Sequence, residues 1–125
     1  NCFWSGNVAM ASSNSGGECG AVLTLGTATL FLGGMFTSNR AVGNSNDGGG
    51  IGGALCLEGF NVATALATRP TVIGVTFEHN IATYGMVVQG QGGAVLIQNA
   101  SPFLVDCHFY NNTAEGSGNA DGGHG

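Results

Sequence analysis

Phe36-Thr37-Ser38-Asn39-Arg40-Ala41 decides the fold, because the chain repeats it. Trp4-Ser5-Gly6-Asn7-Val8-Ala9, Phe77-Glu78-His79-Asn80-Ile81-Ala82 and Phe109-Tyr110-Asn111-Asn112-Thr113-Ala114 have the same form, aromatic-x-x-Asn-x-Ala. The asparagines are 32, 41 and 32 residues apart. A second phrase alternates with the first: Cys19-Gly20-Ala21-Val22, Gly52-Gly53-Ala54-Leu55 and Gly92-Gly93-Ala94-Val95. Two phrases that keep their order at near-constant spacing indicate stacked repeats, in which each unit touches only its neighbours.

Registering the chain on the repeat asparagines sorts it into columns. Trp4, Phe36, Phe77 and Phe109 share one, and Ala9, Ala41, Ala82 and Ala114 another. Leu32, Ile73 and Val105 fall together, as do Cys2, Gly34, Val75 and Cys107, whereas the positions between vary freely. Apolar residues at every second position are the period of a strand buried on one face. Further short strands are expected at Val22–Thr24, Leu55–Leu57 and Val95–Ile97, and at Leu30–Leu32, Thr71–Ile73 and Phe103–Val105. Three strands per turn, joined by Gly-rich connections, fit three parallel sheets wound as a coil with rungs about 4.8 Å apart. Asn7, Asn39, Asn80 and Asn112 would form a ladder of side-chain amides, since Asn tolerates left-handed turns and its amide can bond above and below. The expected fold is all-β: a right-handed parallel β-helix, or solenoid, of about three coils plus a partial first one. Residues 1–125 would form a single repeat domain, a fragment or protomer of a longer stack, with the 60–70 segment bulging as an insertion. The rival, a flat β-sandwich, predicts hairpin turns rather than like residues in one column.

Composition narrows the class. Glycine supplies 24 residues, which disfavours helix interiors. There is no Lys, only Arg40 and Arg69 as fixed cations, and the net charge is -5. Without a basic patch, neither nucleic acid nor an anionic membrane surface is an expected partner. No apolar run approaches the ~20 residues of a membrane helix, so membrane insertion is not expected. No secretory signal is visible and Asn1 opens inside a repeat phrase, so a processed product or a piece of something longer is expected.

The alternation of Gly-Gly-Ala-(Val/Leu) with Phe-x-x-Asn resembles the repeats of chlamydial polymorphic outer-membrane proteins and related right-handed parallel β-helix proteins. The resemblance covers essentially the whole chain. It implies a surface-exposed or secreted passenger domain, often an adhesin. The chain departs from the pattern at Trp4 and at Cys19-Gly20, and residues 1–125 hold no membrane β-barrel pattern, so autotransport is not an expectation.

Catalysis on such a scaffold needs clustered carboxylates. Asp47, Asp106 and Asp121 fall in different coils or connections, and Arg40 and Arg69 on separate faces, so no enzyme activity is expected. Gly48-x-Gly50-x-x-Gly53 matches a dinucleotide fingerprint in form, but a strand follows it where a helix is required. His79, His108 and His124 lack ligand spacing, so no metal or cofactor is expected. Cys2 and Cys107 share a column but lie three rungs, roughly 14 Å, apart, beyond disulfide reach. Cys56 and Cys107 read as lone inward residues, and Cys2 with Cys19 is one candidate pair among open connectivities. Asn111 and Asn99 head the sequons Asn111-Asn112-Thr113 and Asn99-Ala100-Ser101 and are candidate glycan acceptors, Pro102 disfavouring the second.

The functional expectation is an extracellular, cell-surface structural or adhesive module, and in one form the repeating subunit of a surface filament. Its partners would be other copies stacked head to tail, or flanking repeats, together with glycans. Cys2 and Cys107 would meet at such a joint, and Phe31, Val72 and Leu104 would form an exposed apolar column. The alternative is a carbohydrate-binding or pectin-lyase-like carbohydrate-active fragment.

Overall fold

The computed structural model describes residues 1–10, 16–44, 48–61, 63, 68–85 and 89–116, and they are all-β. The strands are β1 Cys2–Ser5, β2 Val8–Met10, β3 Val22–Leu25, β4 Leu30–Thr37, β5 Arg40–Val42, β6 Leu55–Glu58, β7 Thr71–Glu78, β8 Ile81–Ala82, β9 Val95–Gln98, β10 Phe103–Val105, β11 His108–Tyr110 and β12 Thr113–Ala114. One sheet runs β1-β4-β7-β10, with β11 also on β7; a second runs β2-β5-β8-β12, and a third β3-β6-β9. All strand pairings are parallel. The chain visits the three sheets in fixed order three times and then crosses the first two again. Register follows the repeat columns: Trp4 pairs with Phe36, Phe36 with Phe77, and Phe77 with Phe109.

The corners between strands are made by single residues in the left-handed region. Gly6, Ser38, His79 and Asn111 form one corner column, with φ of 64°, 55°, 54° and 49°. Each directly precedes a ladder asparagine and turns the chain from the first sheet into the second. The second sheet, made of the residues after each asparagine, is not among the strands expected from sequence. The strands expected at 30–32, 71–73 and 103–105 instead belong to the same sheet as the aromatic strand. They are bent from it at Gly33, Gly74 and Asp106, with φ of 60°, 62° and 50°.

That bend reverses the in-out alternation. Phe31 and Val72 face the core, at 7% and 0% exposure, so the column expected to be exposed at Phe31, Val72 and Leu104 is corrected at its first two positions. Leu104, in the last described rung, is partly exposed. Leu32 and Val105, expected to alternate inward with the aromatic column, are exposed instead. Phe31 and Phe36 are both buried although five residues apart, an odd interval that a flat strand of period two cannot give.

The core lies between the sheets. Phe36, Phe77, Leu55, Leu57, Val72 and Val75 are fully buried. Trp4, Phe36, Phe77 and Phe109 stack face to face, with centroid separations of 4.2, 5.0 and 4.9 Å. The Gly-Gly-Ala phrase has a separate reason at each position. Gly52 adopts φ +63°, a Cβ on Gly53 would overlap the Gly93 carbonyl oxygen, and Ala54 is fully buried in the core.

The cysteine expectations need correction. Cys19 is bonded to Cys56, with Cα atoms 5.5 Å apart, and Cys2 is a free, exposed thiol. Cys56 is therefore not a lone inward residue. Cys19 stands in the column of Gly52 and Gly92, and a Cβ on Gly52 would meet the Cys56 sulfur. The bond thus joins neighbouring rungs through space that a glycine leaves open. In the 60–70 segment Phe60 is exposed and Thr68 and Pro70 are buried, whereas residues 62 and 64–67 lie outside the described residues, as do Asp47, Asp121 and His124.

The asparagine ladder runs through this core. Asn39 Nδ2 donates to Asn80 Oδ1 at 3.0 Å and to the Trp4 carbonyl at 3.0 Å. Asn80 Nδ2 donates to Asn112 Oδ1 at 2.9 Å and to the Phe36 carbonyl at 3.0 Å. Asn80 Oδ1 also accepts from the Asn39 backbone N–H at 3.0 Å. Asn39 and Asn80 are fully buried, and the full hydrogen-bonding capacity of each side chain is used. Asn80→Ala would strand the Asn39 N–H, an Asn39 amide hydrogen and the Phe36 carbonyl. Because each buried orphan costs about 1–3 kcal/mol, the variant should lose at least about 3 kcal/mol, whereas Asn7→Ala in the first rung should lose about 1 kcal/mol. Urea midpoints check this, and equal costs would show that the interior ladder carries no special stability.

Candidate functional site

Three surfaces could carry function: the outer faces of the sheets, the clefts at the corners and the two ends of the stack.

On the outer face of the first sheet, adjacent rungs bring Glu78, His79, Tyr110 and Asn111 together. His79 Nδ1 lies 3.2 Å from Glu78 Oε1, and His79 Nε2 lies 3.3 Å from Asn111 Nδ2. The tautomer that satisfies both donates Nδ1–H to Glu78 and accepts the Asn111 amide at Nε2. The Tyr110 ring stands edge-on to His79 with centroids 5.8 Å apart. Asn111 is exposed in a left-handed corner; one of its amide hydrogens is used by His79, and the other has no partner among the described residues. Asn99 occupies another left-handed corner, φ 50°, and is half-buried.

A cleft of about 490 Å³ at the edge of the second sheet is lined by Arg40, Asn44, Thr83, Tyr84 and Glu115. Thr83 is buried, and its hydroxyl oxygen accepts the Gly43 N–H at 2.7 Å. Arg69, the other cation, is exposed elsewhere.

Stacking also gathers Glu18, Cys19, Cys56 and Glu58. Glu18 bridges to Ile51 one rung on. Cys19, Cys56 and Glu58 are close enough for metal ligation, but the disulfide uses both sulfurs, which leaves carboxylates alone. The Glu58 carboxyl titrates above the ordinary glutamate range, chiefly because burial penalises its charge and further because Glu18 repels it. This pair gave no signal in the sequence, since forty residues separate two glutamates that only the rung register brings together.

The ends of the stack hold the remaining candidates. At the last rung a cavity of about 450 Å³ opens among Ala94, Val95, Leu104, Phe109, Asn112 and Ala114. Phe109 is 51% exposed there, with one face on Phe77 and no second ring partner among the described residues. Asn112 Oδ1 accepts twice from Asn80, and its Nδ2 donates to the Phe77 carbonyl at 2.8 Å. Its backbone N–H and second amide hydrogen have no partner among the described residues. At the first rung Asn7 donates to Asn39 Oδ1 from its backbone N–H and its Nδ2, at 3.1 and 2.9 Å, while its own Oδ1 has no partner among the described residues. Cys2 and Cys107, three rungs apart in one column, are free thiols, Cys107 half-buried with its Sγ 3.4 Å from the Val72 carbonyl oxygen.

No helix among the described residues is long and apolar enough to cross a membrane. Compared with family profiles, curated proteins and solved structures, the chain has no match.

Two outcomes follow. Reducing the Cys19–Cys56 bond, which spans 37 residues, should lower the unfolding free energy by about 3–4 kcal/mol in a denaturant titration; an unchanged midpoint would contradict the staple. The raised Glu58 pKa means that the folded state binds its proton more tightly than the unfolded state, so this contribution to stability is full below the unfolded pKa and lost as pH rises through the folded one. Glu18→Gln should therefore stabilise the protein by a few tenths of a kcal/mol (~0.5) at pH 7, with the gain gone by about pH 4. An equal gain at both pH values would remove Glu18 as a cause.

Proposed function

We propose that the chain is a right-handed parallel β-helix whose role is structural or adhesive, an extracellular rod of the surface-exposed class that its paired phrases resemble. The observation behind the winding is the fixed order in which the chain revisits three parallel sheets in one register. Crossovers between parallel strands of one sheet are right-handed in about 98% of cases, which gives the hand. The structural role rests on how the repeated residues are used. The aromatic and asparagine columns are committed to stacking and to the ladder, and the varied columns face outward. The Cys19–Cys56 bond suits an oxidising compartment, and the absence of Lys with net charge -5 suits neither nucleic acid nor an anionic membrane. Asn111, exposed at a corner, is the preferred glycan acceptor, ahead of Asn99.

Antibody labelling of intact against permeabilised source cells tests the location, and signal only after permeabilisation would defeat the extracellular reading. Expression in a glycosylating host should add glycan at Asn111 more fully than at Asn99, as peptide mass mapping would show; an unmodified Asn111 would remove the glycoprotein component. Carbohydrate binding is kept as a second reading on one observation, the cleft in which Arg40 and the Tyr84 ring could hold an acidic sugar. Calorimetry with oligouronides that shows binding lost in Arg40→Ala would put it first.

A further inference from the structure

We propose that reduction of the Cys19–Cys56 bond uncovers a zinc site, in which the two thiolates and the Glu58 carboxylate hold one divalent, thiol-seeking cation. The neighbouring rungs are then stapled covalently when oxidised and through a metal when reduced. Nothing in the site depends on the rod reading above.

Backbone register, rather than the disulfide, brings the three side chains together. Cys56 and Glu58 are two residues apart on β6, so they share its outer face while Leu55 and Leu57 turn to the core. Cys19 lies one rung before, just ahead of β3, where its N–H donates to the Ile51 carbonyl at 2.7 Å. The next N–H, that of Gly20, donates to the Gly52 carbonyl at 2.9 Å. Cys19 takes φ 55°, the left-handed conformation that Gly52 and Gly92 take in the two rungs after it. That backbone aims its Cβ at Cys56, and none of these hydrogen bonds needs the S–S bond. The sulfurs therefore remain neighbours in the reduced chain.

Donor type and spacing suit zinc. The Cys19 and Cys56 sulfurs and a Glu58 carboxylate oxygen all lie within 4.8 Å of one another. Ligands of tetrahedral zinc, held at about 2.0–2.3 Å, stand about 3.3–3.8 Å apart. The sulfurs must part to about 3.8 Å, which rotation about their Cα–Cβ bonds supplies with the Cα atoms still 5.5 Å apart. Cys56 is fully buried and Cys19 nearly so, whereas Glu58 is half-buried and Glu18 exposed, so the carboxylates form the mouth. No ion pair among the described residues engages either glutamate, and Glu18 repels the charge of Glu58. A cation seated there removes that repulsion, and water fills the fourth position. Two thiolates with one carboxylate select zinc over magnesium or calcium, which take oxygen ligands.

Opening the site takes two electrons from a dithiol reductant. One dithiol thiolate attacks a cysteine sulfur and releases the other cysteine as a thiolate. The second dithiol thiolate then attacks the mixed disulfide, closes a cyclic disulfide and releases the first cysteine. One S–S bond breaks and one forms, the dithiol is oxidised, and its two protons pass to the cysteines. Zinc binding displaces both of these protons to the buffer.

The test uses the full chain carrying Cys2→Ser and Cys107→Ser, which leaves Cys19 and Cys56 as its only thiols. Where that variant loses its strand signal in circular dichroism, the wild type alkylated at Cys2 and Cys107 before reduction takes its place. The chain is reduced with dithiothreitol, desalted without air, and titrated with zinc or with cobalt(II) as an optical stand-in. The reduced chain should bind one ion, and the oxidised chain none. Cobalt should give thiolate charge-transfer bands and the intense visible bands of a tetrahedral site. Zinc should restore most of the urea midpoint lost on reduction, because it binds the folded state in preference to the unfolded one. Glu58→Gln should still form the disulfide, yet weaken zinc binding to the reduced chain at least about ten-fold. Zinc affinity unchanged in Glu58→Gln shows a loose thiol pair and overturns the site. Equal binding by the oxidised and reduced chains overturns it too, as does a reduced chain whose urea midpoint zinc does not raise or whose cobalt spectrum lacks thiolate bands.

Discussion

The asparagine amide is the constraint on which the rest of the structure depends. A primary amide offers two donors and two acceptor sites in one plane, and burying it unpaired is costly. Asn39 and Asn80 escape that cost only because a rung lies on each side in one register. A slip of one residue would take every amide off its partners and turn the aromatic residues to the wrong face. The ladder therefore fixes the register, and the register fixes the ring stack, the corner before each asparagine and the close approach of the glycines. The step of 41 residues between Asn39 and Asn80, against 32 elsewhere, shows that the contour length of a turn can change while the ladder holds its pitch.

Much of the fold was legible because identical residues in one column must share one environment. The four aromatic residues and the four asparagines announced themselves by recurrence, and the structure brings each set together. What stayed hidden depends on backbone angles rather than residue type. The bend at Gly33 and Gly74 reverses the in-out phase within one strand, and a glycine read as spacing carries no sign of that reversal. The second sheet is built from stretches as unlike as Val8-Ala9-Met10 and Arg40-Ala41-Val42, whose only common residue is the alanine. The Cys19–Cys56 bond stayed hidden because the alignment of Cys19 with Gly52 shows a shared column but not that this column borders the Cys56 side chain.

The candidate sites were less legible, for a related reason. Recurrent residues face the core, so the positions free to carry recognition are those with no pattern. Glu78, His79, Tyr110 and Asn111 form a cluster only because adjacent rungs lay different residues side by side. The sequons pointed to Asn111 and Asn99, and the backbone adds that both sit at left-handed corners, one exposed and one half-buried. The cleft beside Arg40 had no counterpart in sequence, because Tyr84 and Glu115 reach it from two later passes of the chain.

The single disulfide also sets how the stacked parallel strands would answer to force. Hydrogen bonds between parallel rungs lie along the stack axis, so a pull along that axis loads them in tension and opens one gap at a time. Cys19 and Cys56 lock the gap between the first and second strands of the third sheet. Under load the yield point moves to an unlocked gap, and the segment from Val95 to Ala114 would peel away while the stapled pair stays whole. Rupture would then be graded, with the covalent link protecting the β3–β6 pair and the unlinked strands acting as the fuse.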